Sequence, residues 1–175
     1  MDAFDAIVTK LDVREFDSKK TVSKDVKLKI LEAARLTGSG MNSQHWRFIL
    51  VQDSKNLMQL ADDSTSGKWV QDCNFAVVVL TDPKLGYHLI DAGRATQDMQ
   101  VAAWNFGIAS RIYTGFDASK MRKDFSIPTN LETTIVIGFG YPAKKITGKK
   151  KNRKSLEEIV YLEKYGNNLE RSKVS

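Results

Sequence analysis

The run Phe75-Ala-Val-Val-Val-Leu80 leaves few choices for the fold. Six consecutive apolar residues, three of them valines, read as a buried strand. Arg47-Phe-Ile-Leu-Val51 is also largely apolar and is expected at the centre of a sheet. Ile108–Tyr113 and Glu132–Phe139 supply two more strands. Helical periodicity fills the intervals. A helix capped by Ser23 runs to about Leu36, with Val26, Ile30, Leu31, Ala33 and Ala34 as its buried stripe. The longest helix spans about residues 85–106 and ends at Gly107. Shorter helices are predicted at residues 2–10, from a Ser54 cap to Ala61, and at 118–125; residues 156–162 are amphipathic. The layout is α+β, one layer-packed domain over residues 1–175. Residues 166–175 have little to bury and are expected to form a flexible or partner-docked tail.

Composition narrows the setting. With 42% hydrophobic and 27% charged residues, a chain of 175 residues can bury a core. No apolar run approaches the roughly 20 residues of a membrane span. The single cysteine, Cys73, and an acidic N-terminus without a leader pattern point to a reducing cytoplasm. Neither the two histidines, His45 and His88, nor Cys73 makes a zinc pattern. The net charge of +6 is concentrated in Lys144, Lys145, Lys149, Lys150, Lys151, Arg153 and Lys154, a run without an acid. Such a run is most simply a solvated basic loop. It can also attract nucleic acid, a membrane surface or a phosphate-bearing small molecule. A basic nucleic-acid-binding module is therefore the alternative from another functional class, although no aromatic residue interrupts the run to stack on bases.

The chemistry-bearing patterns are sparse. A dinucleotide fingerprint, a phosphate-binding P-loop and a nucleophile elbow are all missing from the sequence. Glu32, Asp91 and Asp98 read as carboxylates on helix surfaces. That poverty of acid–base groups fits a redox reaction carried by a bound organic cofactor. Two stretches could receive one. Lys10, Asp12 and Arg14 alternate along an extended segment, where a cationic pair could hold an anion, or where Val13 and Phe16 simply pack inward. Thr37–Phe48 offers small residues, Gly38, Ser39 and Gly40, followed by the amides of Asn42 and Gln44. Its plainer reading is a helix end followed by a polar turn.

In their order these segments resemble the FMN-dependent nitroreductase family, over nearly the whole chain. The resemblance rests on Lys10-Leu-Asp-Val-Arg-Glu-Phe16, Met41-Asn-Ser-Gln-His-Trp46, Gly107-Ile-Ala-Ser110 through Thr114-Gly-Phe-Asp117, Gly138-Phe-Gly-Tyr-Pro142 and Lys151-Asn-Arg-Lys-Ser-Leu-Glu-Glu-Ile-Val160. It implies a nitroreductase-like fold, with a central mixed, mostly antiparallel sheet flanked by helices. It further implies an intertwined homodimer with FMN at the interface, NADH or NADPH as reductant, and nitroaromatics or quinones as acceptors. Lys10, Leu11 and Asp12 then fall in the first cofactor loop, Lys10 at the phosphate or ribityl chain and Arg14 near the pyrimidine edge. Lys151 and Arg153 match the pair that grips the phosphate. Ser39, Gly40 and Asn42 match a turn that serves the other subunit's flavin, and Thr114 and Gly115 the loop whose backbone N–H faces flavin N5.

The chain also departs from that pattern. It has Lys10, Leu11 and Asp12 where the family often has Arg, a basic residue and Ser. Asp12 near a phosphate needs Lys10 or Arg153 to neutralise it, or else bonds ribityl hydroxyls. His45 stands where Pro is usual. An Asn expected before the second strand has Ser66 or Gly67 as its nearest match. The insertions that roof the pocket in larger members are missing, which implies an open, permissive pocket. Relatives that remove halogen or fragment a flavin are the alternative chemistry, and they need lid residues that this sequence does not display.

Overall fold

The computed structural model describes residues 1–146 and 151–174. Their elements run α1 (Ala3–Thr9), α2 (Lys24–Leu36), β1 (Arg47–Val51), α3 (Ser54–Asp62), β2 (Phe75–Thr81), α4 (His88–Asn105), β3 (Ala109–Tyr113), α5 (Ala118–Asp124), β4 (Glu132–Gly140) and α6 (Leu156–Ile159). Side-chain oxygens begin several helices by accepting orphan amides. Asp2 takes Asp5 N–H, Ser23 takes Val26 N–H, and Asp117 takes those of Ser119 and Lys120. Asp53, rather than the expected Ser54, caps α3, because its carboxylate reaches the amides of both Lys55 and Asn56. Gly107, one residue past the cap of α4, turns the chain at φ 72°, a left-handed conformation that glycine adopts without strain.

The chain divides into two units, residues 1–145 and 146–175. In the first, four strands pair antiparallel in the order β1-β2-β4-β3. β2 is central and is buried along its whole length. Its side chains alternate between two cores, which explains the unbroken apolar run. Ala76, Val78 and Leu80 face a cluster with α3, α5 and Phe16. Phe75, Val77 and Val79 face one with α2 and α4. There Phe75 and Phe139 stack with ring centroids 4.8 Å apart.

β1 corrects an expectation, because it lies at the edge of the sheet and only Val51 of its residues is buried. An apolar run shows that a strand's faces are covered. Its position in the sheet is set by pairing with distant segments, and β2 spends its second side on β4.

The other edge strand, β3, is partly covered by the chain after α1. Asp12 bridges Ser110 in parallel and Val13 N–H donates to Ser110 O at 3.2 Å. This is the sheet's one parallel contact among the described residues. Past the start of β3 the same segment moves onto the extension of β4. Phe16 bridges Pro142, Asp17 N–H donates to Tyr141 O at 2.8 Å, and Ala143 N–H donates to Glu15 O at 3.0 Å.

In the second unit, Ser155 and Glu158 form a reciprocal capping box at α6. Tyr161 bridges Asn168 across a turn containing Gly166, at φ 94°, and Arg171 bonds Glu157 at 2.8 Å.

Candidate functional site

α1 ends at Thr9, and Lys10 is its C-cap. The Lys10 ammonium lies 2.8 Å from Asp12 Oδ1. The carboxylate that would have repelled an anion is therefore paired within its own loop, as one of the sequence alternatives required. Leu11, between them, is half-buried. Val13 and Phe16 join the core, so the inward packing expected of them is also real. Arg14 is exposed, and among the described residues its guanidinium makes no hydrogen bond or ion pair.

The bond from Val13 to Ser110 fixes the parity of β3. Ser110 turns its backbone outward, away from β4, and residues on an antiparallel strand alternate. Ile112 therefore also presents its backbone to the open edge. The Ser110 hydroxyl is buried and accepts Gln100 Nε2 at 3.0 Å. Beyond β3, the loop at Thr114–Gly115 lies directly on a second loop. Thr65 N–H donates to Gly115 O at 2.8 Å, Ser64 bridges Phe116, and Asp117 N–H donates to Asp63 O at 2.8 Å. Ser66 is thereby brought onto Gly115. Gly67 has a packing role instead: a β-carbon there would fall 2.6 Å from the Tyr113 ring.

Arg111, which carries no signal in the sequence, stacks its guanidinium 5.0 Å from the centroid of Trp69. The indole Nε1 of Trp69 is buried without a hydrogen-bond partner.

Ser39, Gly40 and Asn42 form a separate group, bonded to itself and to α4. Ser39 Oγ accepts Gln44 N–H at 3.0 Å, and Gln44 Nε2 donates to Asn42 Oδ1 at 3.2 Å. Met41, Asn42 and Gln44 all have positive φ, at 52°, 53° and 46°. Asn tolerates that region; Met and Gln do not favour it. The loop lies flush on its neighbours, since a β-carbon on Gly40 would meet the Tyr87 ring at 2.5 Å. Thr37 Oγ1 donates to Asp98 Oδ2 at 2.6 Å, and Gly40 N–H donates to Asp91 Oδ2 at 2.9 Å. Asp91, expected on a helix surface, is instead buried. It faces inward because the loop and His45 offer it donors, a pairing that lies 46 residues apart in sequence. Glu32 keeps its surface role, paired with Arg35.

Lys151 and Arg153 belong to the second unit. The Arg153 guanidinium donates to Asn152 O at 2.8 Å. Of the basic run, Lys149 and Lys150 lie outside the described residues, and Lys144 pairs with Glu15 at 2.8 Å. That hydrogen bond holds the Glu15 carboxyl below its ordinary range. Among the described residues no three histidine, cysteine or acidic side chains converge as a metal site, and no helix is long and apolar enough to cross a membrane.

Comparison with known proteins places this geometry. A profile described as "Nitroreductase family" matches residues 7–85 and 66–141. An Archaeoglobus fulgidus protein named "Putative NADH dehydrogenase/NAD(P)H nitroreductase" is 32% identical over 145 residues, covering 78% of this chain and 83% of that one. A crystal structure of a nitroreductase family protein from Clostridium difficile 630 superposes with a TM-score of 0.82 at 27% identity, over 94% of this chain and 99% of the other. Another structure, described as an FMN-dependent nitroreductase from Clostridium difficile R20291, superposes at 0.83 and 22% identity, over 91% and 98%.

Proposed function

The chain belongs to the nitroreductase family, and we propose that it is a homodimeric FMN-dependent oxidoreductase. It takes reducing equivalents from NADH or NADPH and delivers them to an acceptor such as a nitroaromatic or a quinone. When bound, FMN supplies the hydride-accepting N5 and the redox couple. Reductant and acceptor use one site in turn, which gives ping-pong kinetics.

The observation that carries this reading is the open edge of β3. That edge runs out into the loop at Thr114 and Gly115, and the segment that covers its start carries Arg14, a guanidinium with no partner among the described residues. An uncovered strand edge, whose backbone amides can donate, and an unpaired cation suit a planar heterocycle that gains negative charge on reduction. Lys10 orients the phosphate or ribityl chain, and its ion pair with Asp12 keeps that carboxylate from repelling it. Arg14 neutralises charge at the pyrimidine edge. The backbone of Thr114 and Gly115 holds the ring at N5, with Ser66 beside it in the place of the missing Asn. Lys151 and Arg153 supply charge-assisted donors to the phosphate. Ser39, Gly40 and Asn42 serve the flavin held by the second subunit, so that the site is complete only in the dimer.

The purified protein is expected to be yellow, or to become so with added FMN, and to bleach when NADH or NADPH is added. A colourless protein that takes up no FMN overturns the proposal.

A further inference from the structure

Asp91 stands in the first turn of α4 with its side chain 2% exposed. Its carboxylate accepts Gly40 N–H at 2.9 Å and faces His45 Nε2 at 3.2 Å, while Arg94 lies 3.7 Å from its other oxygen. A buried carboxylate is tolerated only with such donors. On the far side of the imidazole, Asp82 N–H points at His45 Nδ1 across 3.4 Å, a long contact. An amide can only donate, so Nδ1 carries the lone pair. Nε2 then carries the hydrogen and gives it to Asp91. The rings of Trp46 and Tyr87, with centroids 5.9 and 6.0 Å from that of His45, wall the imidazole in.

We propose that His45 and Asp91 are positioning residues that hold the Ser39–Asn42 loop in its cofactor-contacting form. His45 is locked as the neutral Nε2–H tautomer between Asp82 and Asp91. The inference rests on the reading of that loop as part of the FMN site. Positive φ at Met41, Asn42 and Gln44 costs energy and persists only where the surroundings impose it. Thr37 and Asp98 fix the base of the loop, and Asp91 reaches its middle at Gly40. His45 keeps Asp91 aimed there by facing the same oxygen that accepts Gly40, while Arg94 faces the other, and it ties that carboxylate to the end of β2 through Asp82.

Two measurements test this. Long-range proton–nitrogen spectra of the histidines in the FMN-free protein are expected to show His45 as the Nε2–H tautomer; an Nδ1–H or imidazolium pattern overturns the lock. FMN titration is then compared across variants that keep the wild-type circular dichroism. His45→Leu is expected to weaken FMN binding about tenfold, the loss of one buried hydrogen-bonded link. His45→Gln, whose carboxamide offers an N–H to Asp91 and an oxygen to Asp82, is expected to restore most of that affinity. Equal FMN affinity in wild type and His45→Leu, or no rescue by Gln, overturns the positioning role. If His45→Leu does not fold, Asp91→Asn is read against the same tenfold loss. A wild-type protein that binds no FMN defeats the functional reading, and with it the cofactor part of this one, while the tautomer measurement still decides the lock.

Discussion

Gly115 and Ser66 touch so closely that no side chain fits between them. A β-carbon on Gly115 would fall 2.6 Å from Ser66 Oγ and 2.5 Å from Thr65 Oγ1. Here the absence of a side chain lets two loops meet at the open edge of β3.

Gly115→Ala must therefore displace the Thr65 and Ser66 hydroxyls, which crowds the contact between the two loops. Overpacking of this kind costs about 1–3 kcal/mol. The expected result is a lower urea midpoint together with weaker FMN binding, measured by flavin fluorescence. FMN affinity unchanged in a folded variant would remove Gly115 from the site.

Arg14→Gln takes away a cation and leaves a side chain that still hydrogen-bonds. Because the guanidinium has no partner among the described residues, its loss leaves no buried charge behind and the fold should tolerate it. If Arg14 stabilises the reduced flavin, the midpoint potential of bound FMN drops by roughly 30 mV, equivalent to about a tenfold change for a two-electron couple. Spectroelectrochemistry measures this directly. A potential equal to that of the wild type would place Arg14 away from the ring.

Lys151→Ala combined with Arg153→Ala removes two cationic donors from the second unit. A hydrogen bond to a charged group contributes about 1.5–3 kcal/mol when buried, and less in exposed positions. The double variant should retain its fold and lose about tenfold to a hundredfold in FMN affinity. Equal retention of FMN through gel filtration would sink the phosphate assignment.

Asp63 predicts a pH effect. It is 2% exposed, Gln59 Nε2 donates to its Oδ1 at 3.1 Å, and its Oδ2 has no partner. Burial raises its pKa above the ordinary 3.8, against the lowering effect of Gln59. A carboxyl with a raised folded pKa favours the native state while protonated. That contribution is present below the ordinary value and is lost as pH rises through the raised one. Asp63→Asn should therefore gain stability relative to wild type on going from acid to neutral pH. Urea midpoints at both conditions report it, and a difference that shrinks toward neutrality contradicts the prediction.

Local patterns are legible in the residues themselves. β2 can be read because both its faces are buried, leaving no polar residue from Phe75 to Leu80. Ser23 and Gly107 mark helix ends because capping is a matter of neighbouring residues. Lys10, Asp12 and Arg14 can be placed on an extended segment, and the pairing of Asp12 with Lys10 is among the alternatives that the family resemblance raises. Arg111 and Asp91 cannot be read in this way. Arg111 acquires meaning only from Trp69, more than forty residues away, and Asp91 only from Gly40 and His45.

Hydrophobic period, caps and turn residues act over a few positions. For that reason the helices and strands, their buried faces and the family resemblance are all written in the chain's local order. Which strand lies at an edge, which loop rests on Gly115 and why Asp91 points inward are not. Those outcomes come from folding in three dimensions. They depend on pairings between segments far apart in the chain, where one donor, one acceptor or one missing β-carbon selects the partner.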